Sequence, residues 1–158
     1  VYHARSADAD VLDASATSPS PGEVVVSIFS RTGDGTAPAQ TINAVSAVLQ
    51  NDAVRPLTDM VTVQSAEIID FNVTADLWLY AGPDSELVET TALLALDVYL
   101  SQNRRLGRDI TRSGIIAALK VPGVQNVILN APAADLVLTP LQAGNVDQIA
   151  ITLAGTTE

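Results

Sequence analysis

The chain has no cysteine. That excludes disulfides and thiolate metal sites but leaves the compartment open. It carries one histidine (His3), one methionine (Met60) and one tryptophan (Trp78). Aromatics are 4% of the 158 residues, so a core must come mainly from Val, Ile, Leu and Ala. Basic residues are few, eight against 18 acidic ones, for a formal net charge of −10. Phosphate backbones repel such a surface, which argues against a nucleic-acid partner. No apolar run approaches the ~20 residues of a membrane span, so no membrane partner is expected. The opening Val1-Tyr2-His3-Ala4 lacks the basic start and apolar stretch of a signal peptide. With its sole methionine deep inside, the chain is expected to be a fragment of a longer protein.

Against these absences, 47% of the residues are hydrophobic and only 16% charged. That composition builds packed cores and is unlike disordered chains. The length suits one medium domain or two small ones.

Residues 1–10 are polar and Ala-rich and read as a linker or the end of a preceding helix. Val11–Thr17 alternates, Ser18-Pro19-Ser20-Pro21-Gly22 is a turn signal, and Glu23–Ser30 is rich in β-branched residues. This predicts a hairpin. After Gly33-Asp34-Gly35, Thr36 is the expected N-cap of a helix over about 37–51, with Ile42, Val45, Val48 and Leu49 at helical spacing. Asn51-Asp52 and Pro56 are expected to end it. Met60–Ala66 reads as a strand. From Ile69 to Tyr80, apolar residues alternate with polar ones, a period-2 pattern with one face buried and one mostly wet. Residues 85–104 read as a long helix, capped by Asp84 or Ser85, with Leu87, Thr91, Leu94 and Val98 on one stripe. Asp109 or Thr111 caps a short helix to Lys120. Val124–Asn130 and Asp147–Leu153 read as strands, with Leu136–Thr139 as a further short one.

A strand–helix–strand rhythm therefore occurs twice. The fold class expected is α+β: two tandem ferredoxin-like (split β-α-β) units, residues 11–66 and 67–158, with mainly antiparallel sheets and helices on one face.

Motifs for chemistry are weak. Asp8, Asp10 and Asp13 resemble the start of a calcium loop, but the sixth and twelfth positions hold Asp13 and Pro19 rather than Gly and Glu. His3 has no nucleophile near it in sequence, and a surface role at a chain end is the plainer reading. Asp70 and Asp76 share a strand face about 20 Å apart, too far for a carboxylate pair. Gly33-Asp34-Gly35 lacks the spacing and Lys-Ser/Thr ending of a phosphate loop. No metal, cofactor or catalytic residue is assigned, and the chain is not expected to be an enzyme.

Two features point to partners. Trp78 and Tyr80 interrupt the wet face of the long strand; they mark an interface or lie under a further layer. Arg104, Arg105, Arg108 and Arg112 are four of the eight basic residues and fall within nine positions. They complement a helix C-terminus and nearby carboxylates, or they form a docking patch for an acidic partner.

Seven segments form an ordered series: Ser18-Pro-Ser-Pro-Gly-Glu-Val-Val-Val, Ser30-Arg-Thr-Gly-Asp-Gly, Asp52-Ala-Val-Arg-Pro-Leu-Thr-Asp59, Val61-Thr-Val-Gln-Ser-Ala-Glu67, Leu79-Tyr-Ala-Gly-Pro-Asp84, Arg105-Leu-Gly-Arg-Asp-Ile110 and Val121-Pro-Gly-Val-Gln125. The series resembles the baseplate J-like family of contractile phage tails. The resemblance covers residues 3–154 and corresponds to the C-terminal part of such proteins. It implies a structural role in the tail baseplate wedges, contacting the I-type wedge neighbour and copies of itself. Such a protein would reside in the virion, after assembly in the host cytoplasm. Two other readings are a receptor- or carbohydrate-binding module of a tail and a small hydrolase. A further variant is the equivalent part of a bacterial contractile injection system.

Overall fold

In a computed structural model the described residues are 1–51, 60–82 and 84–157. The segment Asp52–Asp59, including the expected helix stop at Pro56, lies outside them, as does Pro83. The elements in order are α1 (Tyr2–Ala7), β1 (Val11–Thr17), β2 (Glu23–Ser30), α2 (Ala39–Leu49) and β3 (Met60–Ser65). They continue with β4 (Glu67–Tyr80), α3 (Ser85–Asn103), α4 (Arg112–Leu119), β5 (Val124–Ala131) and β6 (Gln142–Thr157). The α+β class is as the element order suggests. Two three-stranded sheets form, ordered β1-β2-β3 and β5-β4-β6.

Contacts divide the chain into two compact units. The first comprises Val1–Ile69 with residues 105–108 and 138–145; the second comprises residues 70–104, 109–137 and 146–158.

In the first unit, β1 and β2 form the expected hairpin, antiparallel from Val11↔Ser30 to Thr17↔Val25. A register shift between Val11 and Asp13 turns both Val11 and Ala14 inward, so the burial departs from simple alternation. β3 pairs with β2 in parallel, Glu23↔Met60 through Ile28↔Ser65. Parallel neighbours need a crossover, and α2 supplies it. The N-cap of α2 is Pro38, not Thr36. The Thr36 hydroxyl and N–H both bond to the Asp34 carboxylate, so that side chain is used in the turn. As the central strand, β2 buries Val26, Ser27, Ile28, Phe29 and Ser30 in succession. One core joins Val26, Ile28, Val45 and Leu49 to Ala4 of α1. A second joins Phe29, Ala66 and Ala143, with Leu12, Ile68 and Leu106 against them. Asp13 accepts from the Leu106 N–H at 3.2 Å, and Ser15 Oγ donates to the Pro140 carbonyl at 2.5 Å. These bonds hold residues 105–108 and 138–145 in the first unit.

In the second unit, β4 buries Phe71, Val73, Ala75, Leu77 and Leu79 and leaves the intervening residues half-buried or exposed. The period-2 reading holds from Phe71 to Tyr80, whereas Ile69, expected on the buried face, is half-buried like Ile68. β5 pairs antiparallel to β4 with register shifts at Thr74/Ala75 and Trp78/Leu79. β6 runs parallel to β4, since Gly155 lies beside Trp78 and Thr157 O accepts from the Ala81 N–H. α3 and α4 cover the buried face through Val88, Ala92, Leu96, Ile115 and Leu119. Asp84 caps α3 and Thr111 caps α4, each accepting from a first-turn N–H. The stripe Leu87, Thr91, Leu94 and Val98 faces outward instead: Leu87 is 66% and Leu94 64% exposed. Helical spacing admitted either stripe, and the small Ala92 lets α3 approach the sheet on the other one. Leu136 forms a single bridge with Ile110 rather than a strand.

Candidate partner interface

The site residues predicted from sequence fall into different surroundings. Arg105 and Arg108 lie in the first unit's segment 105–108, and both are exposed. Arg104 and Arg112 belong to the second unit and are half-buried. The Arg104 N–H closes the C-terminal turn of α3 on the Ser101 carbonyl.

Arg112 has an internal task. Its guanidinium donates to the carbonyls of Leu129 and Pro132, and its N–H to the Asp135 carboxylate. Lys120, at the other end of α4, donates to the Gln125 carbonyl. Two cations, at the two ends of α4, therefore hold carbonyls of β5, an edge strand of its sheet.

Trp78 is half-buried on the wet face of β4, its ring against Gly155. A Cβ on Gly155 would stand 3.1 Å from the ring, so the close approach needs glycine. Tyr80 is 48% and Ile128 45% exposed. Asp76, on the same face, accepts from Asn130 Nδ2 at 2.9 Å. This face combines aromatic and aliphatic area with satisfied polar groups, a composition suited to contact with another protein.

The acidic triplet does not converge. Asp8 accepts from the Asp10 N–H, and Asp13 bonds Leu106 and Ala14. Asp10 accepts from Ser30 Oγ at 2.7 Å, Thr32 Oγ1 at 3.1 Å and Thr41 Oγ1 at 3.4 Å. The Ser30 bond above all, with those from Thr32 and Thr41, holds its carboxyl below the usual range, against the opposing effect of desolvation. Ser30 and Thr41 are buried, so this is a structural tie between β1, β2 and α2. Local sequence pattern did not disclose it; its trace is polar residues at buried positions of β2 and α2. Among the described residues no three His, Asp or Glu side chains are grouped to hold a metal ion. An open hollow at the start of α3 is lined by Asp84, Glu86, Leu87 and Thr90. There the Thr90 hydroxyl is engaged by the Glu86 carbonyl and Asp84 by the helix cap. His3 is exposed and meets the Tyr2 ring edge-on.

Residues 1–65 match the Baseplate J-like central domain, and residues 71–152 match the Baseplate J-like protein C-terminal domain. The chain belongs to the baseplate J-like family. It is 45% identical over 157 residues to baseplate protein J of Escherichia phage P2, across 99% of this chain and 52% of that protein. It thus spans about half the length of that relative. The central-domain match covers the hairpin, α2 and β3. The C-terminal-domain match contains all four arginines, Trp78 and Tyr80.

Proposed function

We propose that the chain is a structural component of a tail baseplate wedge in a contractile tail, working through subunit contacts and without catalysis. The observation that carries this is the 45% identity to a baseplate protein J across nearly the whole chain. The side chains support it: the carboxylates of Asp8, Asp10, Asp13 and Asp84 and the Thr90 hydroxyl are engaged in turns, core ties and helix hydrogen bonds. The partners are the other baseplate proteins, among them the I-type wedge neighbour, and copies of the same chain. The protein assembles in the host cytoplasm and resides in the virion.

In this reading Arg105 and Arg108 provide local positive charge on a chain of net −10, suited to an acidic patch of a neighbour. Trp78, Tyr80 and Ile128 provide apolar area. The test is affinity purification of the full-length protein from infected or induced cells. Co-recovery of other tail proteins is expected. Recovery of the protein alone, from cells making intact tails, would overturn the reading.

A further inference from the structure

α3 differs from α2 and α4 in what it turns outward. On α2 the exposed positions are Ala39, Gln40, Asn43 and Ala47, and on α4 they are Ser113 and Ala117. Those surfaces are small or polar, as water-facing helix surfaces are. α3 instead exposes Leu87, Leu94 and Val98, at 66%, 64% and 52%. Their spacing of seven and four residues puts them in one stripe, away from the Val88, Ala92 and Leu96 face buried in the core. A helix apolar on both sides is one that is covered on both. The charge beside the stripe is of one sign. Glu86 and Asp97 each precede a stripe residue by one position, so they form a row about 16 Å long on one flank. No basic residue occurs in Ser85–Asn103. At the start of that row, Asp84 and Glu86 line an open hollow together with Leu87 and Thr90.

We infer that the outward face of α3 binds an amphipathic helix of another polypeptide, one with an apolar stripe and a row of Lys or Arg beside it. The helical form follows from geometry. Side chains spaced seven and four apart make a ridge that interdigitates with a ridge of the same spacing on a second helix. The charge of the occupant follows from the flank. Covering the stripe desolvates Glu86 and Asp97 at its border, and a carboxylate left unmatched there opposes binding. Basic residues about three turns apart on the partner pair with both. The hollow between Asp84 and Glu86 seats one of these cations at the end of the stripe. A second copy of α3 fails the condition. It brings no basic residue, and packed antiparallel it sets Glu86 against Asp97 of its neighbour. This deepens the subunit-contact role proposed above and rests on it.

The test places a photoreactive benzophenone side chain at position 94 of the full-length protein and irradiates tails assembled in induced cells. Mass spectrometry then reads the crosslinked peptide. The expected peptide comes from another protein, has apolar residues at seven- and four-residue spacing, and carries Lys or Arg about eleven residues apart. Glu86→Lys with Asp97→Lys should lower the crosslink yield by about tenfold or more, because like charges then meet at a desolvated border. Glu86→Gln with Asp97→Asn keeps the side-chain shapes and should lower it less. Both variants should melt close to the wild type, since both positions are exposed. Changing the mapped Lys or Arg to Glu should restore the yield of the double-lysine variant. A crosslink to α3 of a second copy, a crosslinked peptide without basic residues, or a yield indifferent to both charge variants would each overturn the proposal. No crosslink from tails that contain the protein would remove this face and leave the baseplate assignment standing. A protein absent from the tails would remove both.

Discussion

Arg112 Nη2 donates to the Leu129 carbonyl at 2.9 Å, from the first residue of α4 to the edge strand β5. The side chain looked from sequence like one of four equivalent members of a basic patch, yet its role is to close a sheet. Replacing it with methionine keeps the aliphatic stem and removes the donors. The expected cost is about 1.5–3 kcal/mol, typical of hydrogen bonds from a charged group. The uncovered edge should also raise association of the chain with itself. Urea denaturation and light scattering measure the two effects; unchanged values for both would refute the edge-closing role.

Asp10 should make the first unit sensitive to acid. Its folded pKa lies below the ordinary 3.8, because hydroxyl donors favour the charged form. Its contribution is therefore fully present above the unfolded value and is lost as pH falls through the lower folded value. Asp10→Ala also leaves the buried Ser30 and Thr41 hydroxyls without this acceptor, at about 1–3 kcal/mol. The gap in melting between the wild type and the variant should be widest above pH 3.8 and narrow as pH falls through the lower folded value. A difference independent of pH would contradict the ionised tie.

Leu77 lies fully buried on β4 amid α3 and α4. Leu77→Ala should cost about 2–5 kcal/mol, and Leu77→Asp should unfold the second unit by burying an unpaired charge. Circular dichroism melts check both. An aspartate variant that melts like the wild type would mean the buried face is misassigned.

Arg105→Glu with Arg108→Glu separates docking from folding. Exposed ion pairs contribute ~0–1 kcal/mol, so the melting temperature should move little. Truncating a charge at a desolvated interface costs ~2–5 kcal/mol, so incorporation into wedges should fall sharply. Normal incorporation of the double variant would end the docking proposal.

What the sequence disclosed follows from how local each signal is. β4 was legible because alternation needs only one buried face, and Phe71 through Leu79 supply it. The caps at Asp84 and Thr111 were legible because each contact spans two or three residues. The inward stripe of α3 was not: Val88, Ala92 and Leu96 are no more apolar than Leu87, Leu94 and Val98, and only tertiary packing decides between them. The place of Leu106 and Ala143 in the core around Phe29 was equally hidden, because it joins segments far apart in the chain. For the partner site, clustering in sequence placed four arginines together, whereas hydrogen bonding gives Arg112 a separate task.

The core around Phe29 also sets a timetable for synthesis. Its strands are made within the first 69 residues, but Ala143 arrives only with the segment 138–145. At ribosomal rates of ~5–20 residues per second, that gap amounts to roughly 4–15 s. The first unit, although first to emerge, completes its packing only after most of the second has been translated. During that interval Phe29 and Ala66 lack two of their partners, and the apolar surface around them is open to the chaperones that meet nascent chains.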